Sequence, residues 1–260
     1  MKNFLSLLPL ALAGASAMAA DFGSDDLVRQ GRVVYERSFT PAEQERVKPL
    51  IVAGMNRVAE FYGQRKGALP DFLFCKSAAC ARYVGGSEWR SFTVNKGARR
   101  WEDGQYWFER PTIVINALER QPQASDEHLQ SVLAHELAHV ELYARAGGTE
   151  KVPAWFNEGL ASIIGDIRCQ PGSRGVDDLA KLAVSGAWIQ HTRPSGGLAG
   201  ATYCQAGMEV LAWIERRGGA QAVLDLLAGL SKKSFESQYG AFVTAQGEAI
   251  NTAGAEDNDH

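Results

Sequence analysis

The chain has 260 residues, with 27 Lys and Arg against 30 Asp and Glu and a formal charge of −3. At 45% apolar and 22% charged residues it has ordinary globular composition, which excludes collagen, coiled coil and wholesale disorder. So balanced a charge exerts no global pull on nucleic acid or anionic lipid, and no nucleic-acid partner is expected.

The N-terminus reads as a secretory signal peptide over residues 1–19. Lys2 precedes an apolar stretch from Phe4 to Ala13, and Ala17 and Ala19 supply the small residues of a cleavage site. The stretch is too short for a stable transmembrane helix, and no later apolar run is long enough to span a bilayer. The mature protein is therefore expected in the periplasm or secreted, as one domain over residues 20–246. Residues 247–260 are acidic and almost without apolar side chains, the pattern of a disordered tail.

Export changes how the cysteines read. Cys75, Cys80, Cys169 and Cys204 form an even set, so two disulfides are expected out of three possible connectivities. Cys75 and Cys80 are close in sequence, which leaves Cys169 for Cys204. The spacing does not suit a four-cysteine zinc site.

In chain order, Gly31 to Phe39 has strand composition. Thr40 and Pro41 then open an amphipathic helix to about Tyr62, which Pro49 should kink or split. Phe72 to Cys75 reads as a strand and Ser77 to Val84 as a short helix. Trp89 to Val94 and Tyr106 to Ile115 read as strands about an Asp103-Gly104 turn. Ser125 caps a helix to about Ala146, stopped by Gly147-Gly148, and Pro153 opens another ending near Gly165. Helical segments follow over Asp177–Trp188, Tyr203–Arg217, Ala220–Leu230 and Ser234–Thr244, with a Gly-rich loop from Ser195 to Gly200.

His135-Glu136-Leu137-Ala138-His139 carries the chemistry. Residues four apart share a helix face, so both imidazoles can reach one ion, and Glu136 can touch a water on that ion. H-E-x-x-H on a helix is the pattern of zinc hydrolases, with two ligands and a carboxylate base. Val132, Leu133, Leu137, Ala138 and Val140 make this a buried helix, where unpartnered histidines are costly. A catalytic zinc wants a third protein ligand. His128 lies about 10 Å along the same helix, too far, and reads as a surface residue. Glu158, an acid inside the apolar Trp155-Phe156-Asn157-Glu158-Gly159-Leu160-Ala161, fits better.

HELAH, eighteen intervening residues and Glu158 within PAWFNEGLA resemble the gluzincin metallopeptidases, the group of thermolysin and the membrane-alanyl-type aminopeptidases. The flavour is closest to the bacterial peptidase MA-like branch. The likeness is strong over Ser125 to Gly165 and looser from Tyr203 to Phe242. It implies one zinc held by His135, His139 and Glu158, with Glu136 as general base. It also implies a zincin-like α+β fold: a small mixed β-sheet over the zinc helix, then a helical lobe. Thr112 to Asn116 corresponds to the strand that pairs with extended substrate in that group, and also reads as a core strand. Tyr203, followed by small residues and an apolar face, resembles the aminopeptidase tyrosine that stabilises the oxyanion, with His191 as the competing donor.

Two departures qualify the likeness. Thermolysin-type sequences place an orienting Asp four residues after the glutamate ligand; here that residue is Ser162, and Asp166 reads as a solvated helix-end acid. The aminopeptidase G-x-M-E-N strand is missing, since Gly54-Met55-Asn56 lacks the acid, so endopeptidase action on a peptide or protein is the expectation. The alternatives are an envelope binding or maintenance protein that keeps zinc with little turnover, and a zinc hydrolase of a non-peptide bond. Trp101, Tyr106, Trp107 and Phe108, with Arg99, Arg100 and Arg110, read as hairpin packing rather than an aromatic platform.

Overall fold

The computed structural model describes residues 22–85, 91–94, 97–98, 107–116, 118, 125–166, 169, 175–192 and 199–240. The expected leader and acidic tail lie outside these residues, as do Arg99, Arg100, Trp101, the Asp103-Gly104 turn, Tyr106 and most of the Gly-rich loop.

Two short strands start the described chain. β1 (Leu27–Gln30), which its composition does not announce, pairs antiparallel with β2 (Val33–Glu36). Helix α1 (Pro41–Tyr62) begins at a capping box: Thr40 accepts from the Glu43 N–H and the Glu43 carboxylate accepts from the Thr40 N–H. Pro49 does not split α1, contrary to expectation. Val47, Leu50, Ile51, Val58 and Tyr62 are buried on both sides of it, and that packing offsets the one lost backbone bond. β3 (Asp71–Phe74) and the short α2 (Ala78–Tyr83) follow, the latter capped by Ser77.

β4 (Phe92–Val94), the β5 (Gly97–Ala98) and β6 (Trp107–Phe108) pair, and β7 (Thr112–Ile115) complete the β part. The single strand expected over Tyr106 to Ile115 is thus two. Pro111 interrupts it, offering no N–H, while its carbonyl accepts from Asp71. The main sheet has the order β1-β2-β3-β7-β4, parallel across β2-β3-β7 and antiparallel at both edges.

Strand alternation divides the core. Tyr35, Phe72, Phe74, Ile113 and Ile115 face the helices, whereas Val34, Leu73, Val94 and Val114 face a smaller cluster with Phe108 and the Cys75–Cys80 bridge. Phe108 packs edge-on against Phe92.

α3 (Asp126–Ala146) starts at Ser125, whose hydroxyl accepts from the His128 N–H, and stops at Gly147 in the left-handed conformation (φ 74°). α4 (Ala154–Ile164) follows Pro153. Where one helix was expected over Asp177–Trp188, there is a 3₁₀ turn at Leu179–Leu182 and then α5 (Ser185–His191). The Ala183 carbonyl between them accepts instead from the Ala154 N–H, a donor at the start of α4 that has no partner within its own helix. α6 (Ala199–Arg217), α7 (Ala220–Gly229) and α8 (Phe235–Tyr239) form the helical lobe around Trp155, Phe156, Trp213 and Tyr239. The architecture is α+β, with a small mixed sheet against a helical layer. Cys169–Cys204 joins the segment after α4 to α6, so both expected disulfides are present. Among the described residues no helix is long and apolar enough to cross a membrane.

Candidate metal centre

Three of the five candidate site residues sit on α3, which is buried on nearly every face between the sheet, α1 and α4. Leu133, Ala134, Leu137, Ala138 and Val140 are all buried around them. The i, i+4 spacing stacks the His135 and His139 rings edge to face, 4.8 Å between centroids, with their Nε2 atoms 3.1 Å apart.

α4 delivers Glu158 to the same point. Its Oε2 lies 3.3 Å from His135 Nε2 and 3.5 Å from His139 Nε2. A tetrahedral ion with ligand bonds of about 2.0–2.1 Å holds its ligand atoms about 3.3 Å apart, so the three atoms are spaced as one cation requires. They form a group that could hold a metal ion. Glu158 can reach α3 because Gly159 follows it: a Cβ at Gly159 would lie 2.5 Å from the Ala206 carbonyl oxygen. The glycine therefore lets α4 lie against the backbone of α6 while Glu158 points the other way, into the site.

The electrostatics are those of a buried, mutually supporting set. Burial opposes charge on His139, but the Glu158 carboxylate outweighs it and raises the imidazole to about 9. Burial likewise pushes Glu158 up, yet His139 and His135 beside it hold the carboxyl well below its ordinary range.

Glu136, also buried, is on the next face of α3. The Thr93 hydroxyl of β4 lies 2.8 Å from its Oε2 and 3.0 Å from its main-chain carbonyl oxygen. His139 Nδ1 is 2.8 Å from Asn157 Oδ1, an acceptor that fixes the proton on Nδ1 and leaves Nε2 free to ligate. Neither Thr93 nor Asn157 was among the sequence candidates. For Asn157 the signal was present: it directly precedes Glu158 on a helix already assigned to the metal. For Thr93 none was, since its approach depends on strand pairing.

The two residues considered as orienting groups do other work. The Ser162 hydroxyl donates to the Glu158 carbonyl, and Asp166, largely exposed as expected, lies 4.0 Å from Arg57. His135 Nδ1 is buried with no hydrogen-bond partner among the described residues.

Tyr203 sits in the second turn of α6 rather than at its start. Its ring lies 6.1 Å from the His135 ring and edge-on against Trp188 at 5.0 Å. His191 ends α5 rather than lying in a loop, and its Nε2 donates to the Gly175 carbonyl at 2.9 Å. The donor role left open between them thus has an engaged imidazole on one side and a phenol ring beside the metal group on the other. His128 is exposed in the first turn of α3, away from the cluster, as expected.

One expectation is corrected. β7, including Thr112 to Val114, is hydrogen-bonded to β3 on one side and β4 on the other, so it is a core strand without an open edge. Among the described residues the edge strand next to α3 is β4.

No family model, no curated protein and no solved structure matches this chain.

Proposed function

We propose that the chain is an exported zinc-dependent metallopeptidase of the gluzincin type, with a zincin-like arrangement of sheet, metal helix and helical lobe. The observation that carries this reading is the convergence of His135 Nε2, His139 Nε2 and Glu158 Oε2 beside the buried carboxylate of Glu136. Two imidazoles and one carboxylate suit zinc, and His135, His139 and Glu158 would hold it as three protein ligands, the number that hydrolytic sites use. A site that needed zinc only for structure would have no use for Glu136.

When bound, zinc supplies the Lewis acidity that makes water nucleophilic near neutral pH and polarises a carbonyl. Glu136 takes the proton that the attacking water loses as its oxygen bonds the scissile carbonyl carbon. It then delivers that proton to the amine nitrogen as the C–N bond breaks. The Tyr203 hydroxyl donates to the carbonyl oxygen while that oxygen carries negative charge. Among the described residues β4 is an edge strand, which suits pairing with an extended peptide or protein substrate. The two disulfides and the N-terminal leader pattern support a periplasmic or secreted location.

The test is metal content together with a peptide-library digest. Wild type is expected to hold one zinc per chain, and His135→Ala, His139→Ala and Glu158→Ala to lose most of it. Glu136→Gln should keep zinc and lose turnover by about a hundredfold or more. Stoichiometric zinc in Glu158→Ala would remove the third ligand. A wild type that binds zinc yet cleaves no faster than Glu136→Gln would leave a zinc-binding protein and end the peptidase reading.

A further inference from the structure

We propose that Thr93 is a positioning residue for Glu136: it holds one carboxylate oxygen so that the other is presented to the reacting water. The inference rests on the peptidase reading above.

In β4, Thr93 lies opposite Ile113 of β7, and Ile113 faces the helices. Phe92 and Val94, on either side, belong to the cluster on the opposite face. Alternation therefore turns Thr93 alone of the three toward α3. That position faces a packed helix, where Val would fill the same space. The hydroxyl instead meets two acceptors, both from one residue: Glu136 Oε2 at 2.8 Å and the Glu136 carbonyl at 3.0 Å.

Two consequences follow for Glu136. A hydroxyl donating to a carboxylate makes a charge-assisted bond, stronger than one between neutral groups. With Oε2 so engaged, the side chain keeps one rotamer and Oε1 remains to accept a proton. The one hydroxyl proton goes to Oε2 or to the Glu136 carbonyl; either orientation ties the edge strand to α3 at this residue, and donation to Oε2 is the one that holds the carboxylate. A general base gains from such fixation, since misplacement by about 1 Å can cost a hundredfold in rate.

The experiment uses the full mature chain, zinc-loaded, as wild type, Thr93→Val and Thr93→Ser. Val keeps the shape and removes the donor; Ser keeps the donor and removes the methyl. Thr93→Val is expected to lower kcat about tenfold to a hundredfold, with KM within about twofold and zinc content unchanged. Thr93→Ser should recover kcat to within about threefold of wild type. Equal losses in Val and Ser would assign the effect to packing and overturn the proposal. So would a Val variant with wild-type kcat, or one whose KM rises while kcat holds.

Crystal structures of wild type and Thr93→Val give a readout independent of turnover. One Glu136 carboxylate conformer bonded to Thr93 in the first, and several in the second, support the proposal. The same single conformer in both overturns it. If wild type cleaves no faster than Glu136→Gln, the peptidase reading fails, and this crystallographic comparison still decides what Thr93 does.

Discussion

Asn157 Oδ1 lies 2.8 Å from His139 Nδ1, and Asn157 is the residue directly before Glu158. One turn of α4 therefore supplies one member of the candidate metal group and the side chain that orients another member on α3. The two tasks need different directions, and consecutive residues on a helix point about 100° apart, which separates them. Among the described residues His135 Nδ1 has no such hydrogen-bond partner. The two imidazoles are thus unequally held, His139 by a hydrogen bond at Nδ1 and His135 without one among the described residues.

That inequality has a measurable consequence. Asn157→Ala removes the acceptor on His139 while leaving all three ligands in place. Zinc affinity, measured by competition with a chelator, is expected to fall about 10- to 100-fold. An unchanged affinity would mean that packing alone orients His139.

Tyr203→Phe separates the phenol from its ring. If the hydroxyl stabilises the oxyanion, kcat should fall by about a hundredfold to a thousandfold with little change in KM or zinc content. The ring packing against Trp188 survives in Phe, so stability should hardly move. A kcat within about threefold of wild type, under ~1 kcal/mol, would remove Tyr203 from the mechanism.

Gly159 and Gly207 make a paired test of the α4–α6 contact. A Cβ at Gly159 meets the Ala206 carbonyl oxygen at 2.5 Å and its carbon at 2.7 Å, both backbone atoms that cannot turn aside. Gly159→Ala must push the helices apart, at a cost of about 1–3 kcal/mol or more, and should weaken zinc binding by shifting Glu158. At Gly207 the nearest atom is Ser162 Cβ at 3.7 Å, an ordinary contact. Gly207→Ala should be neutral or stabilising by up to about 1 kcal/mol, since alanine favours a helix. Denaturant melts of both variants decide the point, and equal effects would refute the close-approach argument.

The disulfides differ in the loop they close. Cys169–Cys204 spans 35 residues and Cys75–Cys80 spans 5. In the chain-entropy model these contribute about 4 and about 2 kcal/mol respectively. Replacing the first pair by serines should therefore lower the denaturant midpoint by more than replacing the second. Peptide mapping without reductant checks the pairing itself, and four free thiols in exported protein would overturn it.

Local signals in the chain carried most of the helices. The capping box at Thr40, the cap at Ser125 and the left-handed Gly147 are short-range bonds that need nothing from the rest of the fold. The metal residues of α3 were legible for the same reason, because a four-residue spacing on a helix fixes which side chains share a face. The strand over Tyr106 to Ile115 breaks locally at Pro111, but two other segments depart from expectation where a distant group intervenes. The Asp177–Trp188 segment breaks where the Ala183 carbonyl serves α4, and α1 survives Pro49 because the core holds both halves.

The sequence alone placed His135 and His139 on one helix face and showed Glu158 as an acid inside an apolar helix. It also determined which cysteines were near enough to pair first. Long-range packing brought α4 against α3 so that Glu158 Oε2 comes within 3.5 Å of both imidazoles and Asn157 arrives with it. It alone turned Thr93 of an edge strand onto Glu136 and enclosed β7 between two neighbours. The physical division is one of range. Spacing along a helix is set by backbone geometry within a few residues. Which strand lies at an edge, and which helices touch, is settled only when side chains far apart in the chain compete to fill one core.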